Sequence, residues 1–202
     1  MQEAIHHLCH QDPIMAAIIG QVGEYRIQFR EPDFETLVKS IVFQQLSGRV
    51  ANVIFARLAA AAAAGGKVTP AGILNLRPAR MRSLGLSAQK TAYIRDLARH
   101  ARDGVIRFED LLEMPDDEVI ARLTQVKGIG VWTVHMFLIF ALRRLNVMPT
   151  GDLGIRNAIR KAYGLPDLPG PSDIATLAER WHPYCTVASW YLWRSLEPNA
   201  NL

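Results

Sequence analysis

Leu123-Thr124-Gln125-Val126-Lys127-Gly128-Ile129-Gly130-Val131-Trp132-Thr133 joins two helical patterns through a turn of only a few residues. A Gly-hydrophobic-Gly turn can reverse a chain tightly, because glycine accepts positive φ and lets other backbone come close. The pattern predicts that Ile129 plugs the helix pair while the N–H groups near Gly128 and Gly130 face outward. At the start of the following helix such amides make an anion site, and phosphate is its natural occupant. Taken alone, the same stretch also reads as an ordinary αα-hairpin without a ligand.

Helical spacing continues in both directions from the hairpin, and period-2 alternation bounded by turn residues is almost absent, so an all-α fold is expected. Phe34, Leu37, Val38, Ile41 and Val42 share one helical face behind Asp33, a natural N-cap. A second helix is expected over 47–64, its alanine run stopped by Gly65-Gly66. Thr69-Pro70 and Arg77-Pro78 each open a short helix, and Ser87 caps a longer one through Arg102. Met114-Pro115-Asp116-Asp117-Glu118 reads as a helix start whose carboxylates complement the helix dipole. Helices over 131–143, from Asp152, and from Ser172 and Pro183 complete the pattern, with 165–171 as a stiff surface connection.

The chain of 202 residues suffices for one compact domain or two small interlocked ones. Half of it is hydrophobic and 21% is charged, a balance that argues against long disordered stretches. Lys and Arg number 23 against 19 Asp and Glu, a net +4 that favours a polyanionic partner without proving one. Between Arg77 and Arg107 eight basic residues face only Asp96 and Asp103, which fits a solvated helix face and a phosphate-facing one equally. Cys9 and Cys185 are the only cysteines, which excludes a four-cysteine iron–sulfur cluster or a thiol-only zinc site and suits a reducing intracellular compartment. The first residues lack the order of a signal peptide, and no segment reaches the roughly 20 apolar residues of a membrane span. His6, His7 and His10 have no carboxylate framework and read as exposed helix residues, whereas His135 reads as a packed, hydrogen-bonded histidine.

Asp152 follows Gly130 by 22 residues within Met148-Pro149-Thr150-Gly151-Asp152-Leu153-Gly154. The pattern Val-x-Gly-Ile-Gly-x-Trp-Thr followed by Pro-x-Gly-Asp resembles the helix-hairpin-helix (HhH-GPD) DNA glycosylases, in particular the DNA-3-methyladenine glycosylase II (AlkA-like) branch. Residues 34–47, ending in Gln44-Gln45-Leu46-Ser47, are similar to that branch's helix and DNA-inserting loop. His182-Pro183-Tyr184 through Tyr191-Leu192-Trp193-Arg194 is similar to its closing helix. The resemblance spans residues 13–196 and lacks the N-terminal β domain found in some members.

The resemblance implies a two-lobed helical fold with the active-site cleft between its lobes. Its expected organisation is 1–33 as N-terminal helices packing with the C-terminal lobe, 34–147 as a middle bundle with the hairpin, and 148–202 completing the second lobe. It implies hydrolytic excision of alkylated purines, of the 3-methyladenine and 7-methylguanine type, by flipping the base out of duplex DNA and leaving an abasic site. Breaking an N-glycosidic bond develops oxocarbenium character at the sugar, so a fixed carboxylate can stabilise that charge and orient water. Asp152 is the candidate for this role; without the hairpin it would read as a plain N-cap.

Trp132 and Trp193 match pocket positions where a cationic base can be held by stacking and cation–π attraction, while Trp181 and Trp190 read as core. Met136 and Leu153 are the remaining candidate base contacts. Strand-cutting relatives carry a Schiff-base lysine at the position of Trp132, so a monofunctional hydrolase is expected here. Gln44, Gln45, Leu46 and Ser47 are candidates for the DNA-inserting loop, with a simple helix–helix turn capped by Ser47 as the other reading. Lys127, Gly128, Gly130 and Thr133 are the hairpin's candidate DNA contacts. Lys127 and Lys90 are each open between a phosphate contact and plain solvation.

Main-chain carbonyls of Thr124, Val126 and Ile129 match positions that bind a structural monovalent cation, sodium or potassium; no other cofactor is required. The implied partner is duplex DNA containing damaged bases, with no membrane, a monomeric state, and a location in the cytoplasm with the DNA, in nucleoid or nucleus. Two other functions fit the same residues: a non-enzymatic hairpin DNA-binding module, and a glycosylase for oxidised or mismatched bases.

Overall fold

The computed structural model describes residues 1–196 and is all-α apart from one two-residue ladder. Among the described residues the twelve α-helices are α1 (Gln2–Gln11), α2 (Pro13–Val22), α3 (Phe34–Phe43), α4 (Gly48–Ala62), α5 (Pro70–Asn75), α6 (Pro78–Ser83), α7 (Ala88–Arg102), α8 (Asp116–Leu123), α9 (Val131–Phe140), α10 (Leu153–Ala162), α11 (Pro171–Ala178) and α12 (Cys185–Leu196). The chain divides into two compact units, one of residues 30–137 and one formed by residues 1–29 together with 138–202.

In the first unit, local capping sets the helix starts. Asp33 accepts the Thr36 N–H at 3.0 Å, Thr69 accepts the Gly72 N–H at 3.0 Å and Ser87 accepts the Lys90 N–H at 3.1 Å. α7 is the central element and packs against α3, α5 and α6. Leu37, Val38, Ile41, Leu58, Ile73, Met81, Ile94 and Leu97 are fully buried, each on the apolar face its helical spacing creates. The helix expected over 47–64 is shorter. It stops at Ala62, and Ala63–Ala64 pairs antiparallel with Lys67–Val68. Gly65 and Gly66, both at positive φ, form the turn of this ladder instead of a helix cap. Glu35 holds the ladder to α3 by accepting the Val68 N–H at 2.7 Å.

In the second unit, α12 packs against α2 and α10, and α1 lies on α2. Leu8, Met15, Ile155, Ile159, Ile174, Trp181, Val187 and Tyr191 form its apolar core. Asp12 caps α2 through the Ile14 and Met15 amides and also accepts the Trp181 indole N–H at 2.9 Å and the Tyr163 hydroxyl. Burial alone would raise its pKa, but these four donors hold the carboxyl below the usual carboxylate range. His7 departs from the exposed position expected of it: its ring is half-buried and meets Tyr184 edge-on at 5.4 Å. The helix expected over 131–143 ends at Phe140, and the chain turns through Arg143 at φ +57. Among the described residues, no helix is long and apolar enough to cross a membrane.

Candidate active site

Asp152 is the N-cap of α10, where its Oδ1 accepts the Ile155 N–H at 2.8 Å. The same oxygen accepts the Trp193 indole N–H at 2.8 Å. Asp152 is only 8% exposed, so the low-polarity surroundings strengthen both bonds. The Trp193 ring stacks on Phe140, with centroids 5.9 Å apart and planes 23° from parallel. Trp193, expected as a stacking face for a base, thus directs its indole N–H to the carboxylate. Leu153, next in the chain, is 59% exposed.

Gly154 was missed by sequence reasoning. A Cβ there would stand 3.0 Å from Asp152 Oδ1 and 3.0 Å from Trp193 Cδ1, so the carboxylate–indole pair fits because this position has no side chain. The available signal was a glycine in the first turn of a helix, where propensity alone disfavours it.

The hairpin is built in the other unit. α8 ends at Leu123, and the turn closes with the Val126 N–H on the Leu123 carbonyl at 3.2 Å and the Ile129 N–H on the Val126 carbonyl at 3.1 Å. Ile129 is buried, as a plug should be. Gly128 sits at φ +86 with the Tyr93 ring where a Cβ would project, only 2.0 Å from the nearest ring atom, so both backbone and packing require glycine. Gly130 has ordinary φ, is exposed and has nothing within 4 Å of a would-be Cβ, so neither backbone nor packing requires glycine there. Asp96 Oδ2 accepts the Lys127 N–H at 3.0 Å and ties the hairpin to α7. Burial acts to raise the Asp96 pKa, but the Lys127 amide, Arg99 and His100 bring it below the usual range.

At the start of α9, Trp132 is 51% exposed, Met136 is half-buried and Thr133 is buried, so the Thr133 side chain is not a surface group. His135 is half-buried, and burial lowers its pKa. The loop after α3 is joined to the hairpin: Gln44 Nε2 donates to the Gly128 carbonyl at 2.9 Å. Gln45, Leu46 and Ser47 are exposed, and Ser47 takes the N-cap position of α4 without a side-chain cap bond.

The basic run between Arg77 and Arg107 is largely engaged within the protein. Arg95 bonds the carbonyls at the end of α5, including Leu76 at 2.7 Å, while Arg99, Arg102 and Arg107 pair with Asp96, Asp103 and Asp110. Lys90 is not simply solvated: its ammonium bonds the Val42 and Gln44 carbonyls. For the hairpin cation, the carbonyls of Thr124, Val126 and Ile129 are neutral hard donors of the kind that sodium or potassium accepts. Among the described residues, no group of three or more His, Cys, Asp or Glu side chains is arranged to hold a metal ion. Burial pushes the Cys185 thiol up to about 12, which leaves it unreactive.

These elements have close counterparts in known proteins. DNA-3-methyladenine glycosylase 1 of Schizosaccharomyces pombe is 37% identical over 194 residues, which cover 94% of this chain and 85% of that protein. The solved structure of the S. pombe 3-methyladenine DNA glycosylase in complex with abasic DNA has a TM-score of 0.83 and covers 95% of both chains. A DNA-3-methyladenine glycosidase from Bacillus halodurans, 33% identical, has a TM-score of 0.87 over 96% of this chain and 89% of that one. Residues 38–183 match the family described as HhH-GPD superfamily base excision DNA repair protein. With its glycine hairpin, its helix-capping aspartate and this match over most of its length, the chain belongs to the HhH-GPD superfamily.

Proposed function

We propose that this protein is a monofunctional DNA glycosylase that hydrolyses the N-glycosidic bond of alkylated purines in duplex DNA. The observation that carries the reading is the buried Asp152 carboxylate, fixed on one oxygen by the Ile155 amide and the Trp193 indole. Alkylation at N3 or N7 makes the base cationic, so it departs with the electrons of the C1′–N bond. Asp152 stabilises the positive charge left on the sugar and accepts a proton as water adds to C1′. The products are the free base and an abasic site. Trp132, at the position of the Schiff-base lysine of strand-cutting relatives, has no amine to form that intermediate.

By the resemblance to the family, Trp132, Met136, Leu153 and Trp193 would each contact the extruded base. The amides near Gly128 and Gly130, with Lys127, would anchor a phosphate. Thr124, Val126 and Ile129 carbonyls would hold a monovalent cation, which when bound supplies positive charge toward the DNA backbone. The protein would act in the cytoplasm or nucleus, wherever the DNA lies.

Dimethyl-sulfate-treated duplex DNA, chromatographed after incubation, tests this reading. Wild type should release 3-methyladenine or 7-methylguanine, and Asp152→Asn should lower the rate by at least ~100-fold while binding DNA with similar affinity. Release by both forms alike would remove Asp152 from the chemistry, and release by neither would leave a binding module.

A further inference from the structure

The loop that follows α3 is tied down from two sides. The first is Lys90, on the opening turn of α7, whose ammonium donates to the Val42 carbonyl at 2.7 Å and to the Gln44 carbonyl at 2.6 Å. The last carbonyls of a helix have no partner within it, and a cation placed on them satisfies them and offsets the negative end of the dipole. The second tie is the Gln44 side chain, which binds the hairpin carbonyl of Gly128. One residue further on, Gln45 lies at φ +56, a left-handed conformation that a residue with a Cβ adopts only when its surroundings impose it. Leu46 follows at 38% exposure. Beside this tip lies an open groove of about 530 Å³, lined by Gln44, Gln45, Leu46, Lys90 and Tyr93 among others.

We propose that Lys90 is a positioning residue for base extrusion, holding the Gln45–Leu46 tip in a preset shape before DNA arrives. A tip already ordered when it enters the duplex adds no ordering cost to the opening of a base pair. This inference rests on the glycosylase reading. Its particular consequence is that Lys90 matters where a base pair must be opened and matters little where the lesion is already unpaired.

Duplexes carrying a single 7-methylguanine, either paired with cytosine or opposite a tetrahydrofuran abasic analogue, separate the two cases. Lys90→Met should lower release from the paired lesion at least tenfold and stay within twofold of wild type on the unpaired one. Lys90→Gln, which keeps a neutral N–H donor group, should recover part of the loss. Normal turnover of the unpaired lesion also shows that the variant is folded. Equal losses on both duplexes, or no loss on either, would overturn the proposal.

A second measurement needs no turnover. 2-Aminopurine paired with thymine should brighten when wild type binds and unstacks it, and brighten less with Lys90→Met at saturation. If wild type releases no base from any methylated duplex, the glycosylase reading fails, and this fluorescence difference alone decides whether Lys90 shapes the tip. Identical fluorescence for both proteins would overturn the role of Lys90 even if the enzyme is active.

Discussion

At the scale of single residues, the candidate chemistry depends on a side chain that is not there. Gly154 leaves the space in which Asp152 and Trp193 meet, and a methyl group would press on both at 3.0 Å. Alanine is also the better helix former by roughly 0.5–1 kcal/mol. Gly154→Ala should therefore leave the melting temperature unchanged or slightly raised while base release falls about tenfold or more, because small displacements of a charge-stabilising group are costly. Thermal melting and single-turnover release on the same preparation check the two opposite signs. Asp152 was legible in the sequence because an N-cap bonds an amide three residues away, and such local geometry is written in residue order. The Trp193 indole arrives from 41 residues further along the chain, and no local spacing announces it.

At the scale of elements, α7 organises both loops proposed to face DNA. Lys90, Tyr93 and Asp96, spaced three apart, respectively reach the end of α3, the face of Gly128 and the Lys127 amide. Asp96→Ala would strand that amide and remove the partner of Arg99, a loss of about 1–3 kcal/mol. The expected result is a lower melting temperature together with weaker binding to abasic duplex, measured by fluorescence anisotropy. Asp96→Asn, which retains an acceptor, should lose less. The helix starts at Asp33, Thr69 and Ser87 follow from sequence, since capping is local. The work of Lys90 and Arg95 does not, because their acceptors are main-chain carbonyls, which every residue carries and no pattern marks. The alanine run likewise misled: its helix propensity is real, but the glycines after it serve a two-strand turn.

At the scale of the whole molecule, the unit containing Asp152 keeps a buried carboxylate among neutral donors. Asp12 has a folded pKa below its ordinary value of 3.8, so it stabilises the fold above that value and gives the contribution up as pH falls through the lower, folded value. Urea unfolding followed from about pH 5 to about pH 2 should show wild-type stability declining, and Asp12→Asn, though less stable at neutral pH, should decline less steeply. An unchanged slope would mean that other carboxylates govern acid unfolding. The all-α class was legible from the period of the apolar residues. The donors around Asp12 were not, since Tyr163 and Trp181 come from the far side of the chain.

The division into a continuous unit, residues 30–137, and one drawn from both ends of the chain also has a meaning for biosynthesis. Domains tend to form as they leave the ribosome, and residues 30–137 can do so without waiting for later sequence. The unit around Asp152 cannot, because α2 needs α12 to cover it. The hairpin can therefore close while Asp152 still lacks Trp193, so under the proposed assignment a nascent chain acquires its phosphate-binding element before its carboxylate is in place.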